Sequence, residues 1–152
     1  MITELETEFA SLSLQRFDET EALALGQILL GLTQGKAVVI NIRNAMRVFF
    51  HAAQPNSAPH FDLWAKRKGN TALMFQLPSM LVGERNRAKG QSLSIHGLSE
   101  ADYADHGGAV PIRVAGVGVV GVAVISGLAS IEDHALVVAG LRALMQQQAS
   151  GG

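Results

Sequence analysis

No cysteine occurs in this chain. Disulfides, zinc–thiolate sites, iron–sulfur ligation and thiol catalysis are therefore excluded together. Charge is scarce as well: Asp, Glu, Lys and Arg make up 16% of the residues, while hydrophobic residues reach 48%, against about a quarter charged in an average globular chain. A monomer with so few charges has difficulty covering its surface, so apolar area is expected to be buried against other subunits. The net charge is −1, and no basic run interleaved with aromatics appears, which argues against nucleic acid as a partner. The most cationic stretch, Lys66-Arg67-Lys68 followed by Arg85, Arg87 and Lys89, reads as a solvated helix face. Long apolar runs are also missing. The strongest, Val114 to Ile125, is broken by Gly116, Gly118 and Gly121 and falls short of the ~18 residues of a membrane span. Met1 to Glu6 is acidic and lacks the basic and apolar regions of a signal peptide, so cytoplasm is the default expectation, with no membrane partner.

What is present fits one domain of 152 residues. Ile2, Leu5, Phe9 and Leu12 recur at helical spacing and form a narrow apolar seam, a candidate assembly surface. Leu12 to Phe17 alternates as a first strand. Asp18 followed by Glu21 is a helix start, and Ala22, Leu25, Ile28, Leu29 and Leu32 form the stripe of a helix that ends near Gly35. Ala37 to Arg43 and Met46 to Ala53 read as a hairpin around Asn44-Ala45, although the turn lacks the favoured glycine. A long helix begins near Pro59, with Phe61, Trp64, Ala65, Ala72 and Phe75 on its apolar face, and stops at Pro78. Ser79 caps a further helix ending by Gly90, and Ser99 to Asp105 reads as a short helix. Ala109 to Val114 and Val117 to Ser126 are the last strands. The second is valine-rich on both parities and so is expected at the centre of the sheet. Ser130 caps a final helix carrying Val137, Val138, Leu141, Leu144 and Met145, with fraying expected from Gln146 to Gly152. Five strands joined mainly by hairpins imply an α+β domain with an antiparallel sheet.

Four stretches carry a family resemblance. They are Phe49 to Ala53 (FFHAA), Trp64 to Lys68 (WAKRK), Tyr103 to Ile112 (YADHGGAVPI), and Gly116-Val117-Gly118 through Val124 to Leu128 (VISGL) to Asp133-His134. In that order, over nearly the whole chain, they resemble the small cytoplasmic branch of the GlcG/HbpS-like (haem-degrading domain) family. The resemblance implies a profilin-like fold, a five-stranded antiparallel sheet with helices on both faces, and homo-oligomers built on dimers. It also implies ligands such as haem or a corrinoid; some relatives are linked to haem degradation and one to targeting of tail-anchored proteins. The sequence departs from the branch pattern at two places. Phe61-Asp62 stands where the branch has Asn-Asp, and Met74 to Ser79 (MFQLPS) stands where it has Arg-Phe-Gly-His-Ser-Ser. Any activity that needs those lost polar side chains does not transfer.

Eight residues are candidates for ligand binding: Trp64, Arg67, Lys68, Asp105, His106, Ser126, Asp133 and His134. His134 follows Asp133 in the first turn of the last helix, where backbone donors favour anions and keep an imidazole neutral. With Ser126-Gly127 upstream it either cradles an anion or ligates a metal, or it is a hydrogen-bonded core histidine. His106 before Gly107-Gly108 either complements a helix C-terminus or points with Asp105 into a cleft. Asp102 and His106, four apart, would share a helix face. Lys68 is odd because Trp64 and Ala72 place it on the apolar stripe. It either snorkels, pairs with a buried carboxylate, or reaches an anionic ligand with Arg67 beside it. His51 reads as structural, and His60 and His96 carry no signal. No metal site and no catalytic residue is assigned; the pattern around Ser126 fits no nucleophile elbow. Gly116-Val117-Gly118-Val119-Val120-Gly121 lies within a strand and is no dinucleotide fingerprint. Three functions stay open: an oligomer that binds haem, a corrinoid or an anionic metabolite between subunits; a structural or adaptor oligomer with no small ligand; or a haem-degrading enzyme.

Overall fold

The computed structural model describes residues 1–151. Helix α1 (Ile2–Ala10) is followed by α2 (Glu19–Leu32), then by strands β1 (Val39–Arg43) and β2 (Val48–Ala53). Helices α3 (Pro59–Phe75) and α4 (Ser79–Lys89) lead through a 3-10 turn, Leu93–His96, to β3 (Ala109–Val114), β4 (Gly118–Ser126) and α5 (Ser130–Ser150). The strands form one antiparallel sheet in the order β2-β1-β4-β3, with β4 inside it as expected.

Strand alternation divides the core between two faces. Ile40, Ile42, Val110, Ile112, Ala123 and Ile125 point to one side, where Leu25 and Leu29 of α2 and Val137, Leu141 and Leu144 of α5 cover them. Val39, Ala109, Val122 and Val124 point to the other, against Ala65 and Ala72 of α3. The small residues Ala65, Gly69 and Ala72 let α3 lie close to the sheet, and that closeness brings Lys68 into the interior. The architecture is thus α+β with helices on both faces.

The sheet has four strands rather than five. Leu12 to Phe17 contributes a single parallel bridge, Leu14 to Val114. The reason lies in α5: Gln148 Oε1 accepts from the Gln15 amide at 2.8 Å and Gln148 Nε2 donates to the Arg16 carbonyl at 2.8 Å. A side chain thereby uses the backbone groups that a strand would have paired. The same buried Gln148 anchors the end of α5, which continues to Ser150 instead of fraying from Gln146.

Local chemistry explains the other differences. Asn44 Oδ1 accepts from the amides of Met46 and Arg47, both at 2.8 Å. This side-chain turn replaces the missing glycine and lengthens the β1–β2 connection beyond Asn44-Ala45. Ser99 to Asp105 is not helical, because its backbone is bound to α3: the Ala104 amide donates to the Arg67 carbonyl and to Thr71 Oγ1, and Asn70 Nδ2 donates to the Asp102 carbonyl. Neither Ser79 nor Ser130 caps its helix; each is the first helical residue. The Ser79 hydroxyl accepts instead from the Ala109 amide. Asp18 does cap α2, accepting from the Glu21 amide at 3.1 Å. The α1 seam closes inside the chain, with Leu5, Phe9 and Leu12 all buried, so it offers no assembly surface. No helix among the described residues is long and apolar enough to cross a membrane.

Candidate functional site

Lys68 is 3% exposed. Its ammonium has three protons and three acceptors: the Gly107 carbonyl at 2.9 Å, the Ile125 carbonyl at 2.8 Å and Asp133 Oδ2 at 3.2 Å. Asp133, equally buried, also accepts from the amides of Gly127 and Leu128. One ion pair therefore ties together the approach to β3, the end of β4 and the start of α5. Burial is the larger influence on both groups. It lowers the Lys68 ammonium below its ordinary range and raises the Asp133 carboxyl above its own, with the partner's charge opposing each shift. A Cβ on Gly108, whose φ is 132°, would collide with the Ile125 carbonyl and Lys68 Nζ. Glycine is required there for the lysine to reach its acceptors.

Above this pair opens a cleft of about 400 Å³ lined by His60, Phe61, Trp64, Lys68, His106 and the turn from Ser126 to Ser130. Trp64 is half-buried and holds two neighbours. The His106 ring stands edge-on to it with centroids 5.2 Å apart, and the Arg67 guanidinium lies 4.5 Å from its ring centroid. His106 is exposed at the cleft, so its imidazole is available to a ligand. No side chain caps the start of α5, which leaves first-turn amides with donor capacity at the cleft edge.

Five of the eight candidates thus line this cleft: Trp64, Lys68, His106, Ser126 and Asp133. Arg67 sits behind Trp64, in a second cleft of about 550 Å³ that shares His60 and Trp64 with the first. Asp105 turns the other way and accepts from Asn86 Nδ2 of α4 at 2.9 Å. His134 faces α1, with Nε2 2.6 Å from Glu8 Oε1. Asp102 and His106 share no helix face, since no helix forms there, and no cluster of three metal-ligating side chains exists among the described residues. His60 was missed. It is the second residue of α3, four before Trp64, and that spacing puts both on one face.

A model of the family described as haem degrading protein HbpS-like matches residues 17–142. The chain belongs to the HbpS-like family. A UPF0303 protein of Streptomyces coelicolor is 43% identical over 92% of this chain and 90% of its own length. One from Burkholderia thailandensis is 43% identical over 83% and 78% respectively. Among solved structures, the Ybr137w protein superposes with a TM-score of 0.89 at 28% identity, covering 98% of this chain and 90% of that one. HbpS gives a TM-score of 0.70 at 15% identity, covering 85% and 90%. A PduOC:heme complex gives 0.70 at 17% identity, covering 84% and 94%. The last two likenesses are of fold.

In this family member His134 is bonded away from the cleft, and its Nδ1 is buried with no partner. Replacing it with glutamine, whose amide is smaller than the imidazole and differently placed, should weaken the bond to Glu8 and leave buried space unfilled, at a cost of about 1–3 kcal/mol. Thermal unfolding should show a melting temperature several degrees lower, with ligand affinity unchanged. An unaltered melting temperature would contradict a structural role.

Proposed function

We propose that the cleft between the starts of α3 and α5 binds a small ligand, and that haem or a related tetrapyrrole is the ligand it suits. The observation that carries this is His106, an exposed imidazole held edge-on by Trp64 at a cleft with aromatic walls. In a chain without cysteine, axial ligation of haem iron falls to histidine, methionine or tyrosine. His106 and His60 supply such donors, Phe61 and Trp64 supply flat apolar surface, and the open start of α5 supplies amides for an acidic group. The donor set therefore fits the group. Bound haem would bring its own iron chemistry, and the chain would hold and orient it.

Binding is favoured over catalysis because the buried ionisable groups are fully engaged: Lys68 donates to three acceptors and Asp133 accepts from three donors. Membership of the HbpS-like family and the fold shared with a haem complex support the choice of haem. Self-association into dimers belongs to the same proposal. Val48, the first residue of the edge strand β2, and Met46 just before it are exposed apolar surface available to a second copy.

Haemin titrated into the protein should give a sharpened Soret band, with affinity reduced at least tenfold in His106→Ala and unchanged in His134→Gln. Identical titrations for wild type and His106→Ala would mean that haemin adsorbs to apolar surface without ligation, and the assignment of haem to this cleft would fall.

A further inference from the structure

Arg67 is a guanidinium in an unusual position. Its Cζ lies over the Trp64 ring at 4.5 Å from the centroid, a cation–π contact that restrains the guanidinium. Its Nε is buried without a hydrogen-bond partner. Among the described residues it forms no ion pair, whereas Arg16, Arg47, Arg85 and Arg87 each pair with a glutamate. Glu100 and Asp102 also line the second cleft, yet neither pairs with Arg67. A pinned guanidinium with spare donors, facing a cleft, is the arrangement that receives a planar oxyanion through two parallel hydrogen bonds.

The two clefts meet at Trp64 and His60, which line both. A flat ligand resting against Trp64 in the first cleft thereby has its periphery within reach of the second. We propose that Arg67, assisted by the exposed Lys66, is a carboxylate-binding subsite that selects planar ligands carrying a peripheral acid group. This rests on ligand binding at the first cleft and deepens it. Arg67 would act by contact with the ligand's carboxylate, and Trp64 would position both.

The sole tryptophan of the chain is the one in question, so its fluorescence reports the site directly. Protoporphyrin IX and its dimethyl ester differ only in having free or blocked carboxylates, and neither contains iron, so His106 ligation does not enter. Quenching of Trp64 emission should give an affinity at least tenfold higher for the free acid than for the diester. Within Arg67→Met the acid and the diester should bind with equal affinity, and Arg67→Lys should restore the preference in part, since lysine keeps the charge and loses the fork. Equal affinities for acid and diester in wild type would overturn the subsite. A preference that survives in Arg67→Met would overturn it too, as would failure of both porphyrins to quench. The haemin test of His106 is separate: a Soret titration insensitive to His106→Ala, with the acid–diester contrast intact, would remove haem ligation and keep the carboxylate subsite.

Discussion

Lys68→Met should destabilise the protein by about 3–5 kcal/mol, the cost expected when one member of a buried ion pair is removed and the other charge is left without compensation. Methionine matches the stem of lysine in length, so packing against α3 is largely preserved and the loss is electrostatic. Two carbonyls, those of Gly107 and Ile125, lose their donor in the same step. Against a total stability of roughly 5–15 kcal/mol this is a large fraction. Denaturant unfolding should show a lower midpoint with an unchanged slope. A change below about 1 kcal/mol would mean that the ammonium is dispensable to the fold.

The same variant has a pH signature whose sign follows from Asp133. Burial already raises that carboxyl above its ordinary value, and Lys68 opposes the rise. Without Lys68 the folded-state value climbs further, so between the unfolded and folded values the native state binds the extra proton. Stability then increases as pH falls through that window, and the deficit of Lys68→Met relative to wild type should shrink on acidification. Adding Asp133→Asn should recover part of the loss at neutral pH. It removes the uncompensated charge, and its carbonyl oxygen can still accept from the amides of Gly127 and Leu128. A double variant as unstable as the sum of the singles would show that the two residues do not act as a pair.

The oddity of Lys68 was legible from its place on the apolar stripe of α3, but its partner was not. Asp133 lies 65 residues away, and only the folded sheet brings the two together. Elements governed by local rules were readable: the Asp18 cap, the stripe of α5, and the both-parity valines that place β4 inside the sheet. Elements governed by distant side chains were not. Gln148 prevents residues 12–17 from becoming a strand, and α3 holds residues 99–105 out of a helix. Part of the candidate site follows the same division. Trp64 and His106 could be picked as unusual residues, whereas their edge-on contact depends on that non-helical approach to β3. Asp105, adjacent in sequence, is turned to α4 for the same reason.

Gly83 sits in the interior of α4, and there two principles predict opposite signs for Gly83→Ala. Helix propensity alone favours alanine by about 0.8–1.0 kcal/mol. Close packing opposes it: a Cβ at this position would lie far inside 3.0 Å of the Asp105 carbonyl oxygen, a separation real Cβ atoms do not show. That obstacle is backbone and cannot swing aside as the nearby Arg87 side chain can. Relief requires moving α4 away from residues 105–107, the segment that carries His106 and meets Lys68. Overpacking of this kind costs about 1–3 kcal/mol and occasionally more, which exceeds the propensity gain. Gly83→Ala should therefore lower the melting temperature, and His106 should move with Asp105, weakening haemin binding as well. Gly31→Ala in α2 is the control. A Cβ there meets nothing within 4 Å, so only propensity acts and stability should rise. If both substitutions stabilised the protein equally, α4 would not be fixed against the approach to β3, and the rigid placement of His106 would have no basis.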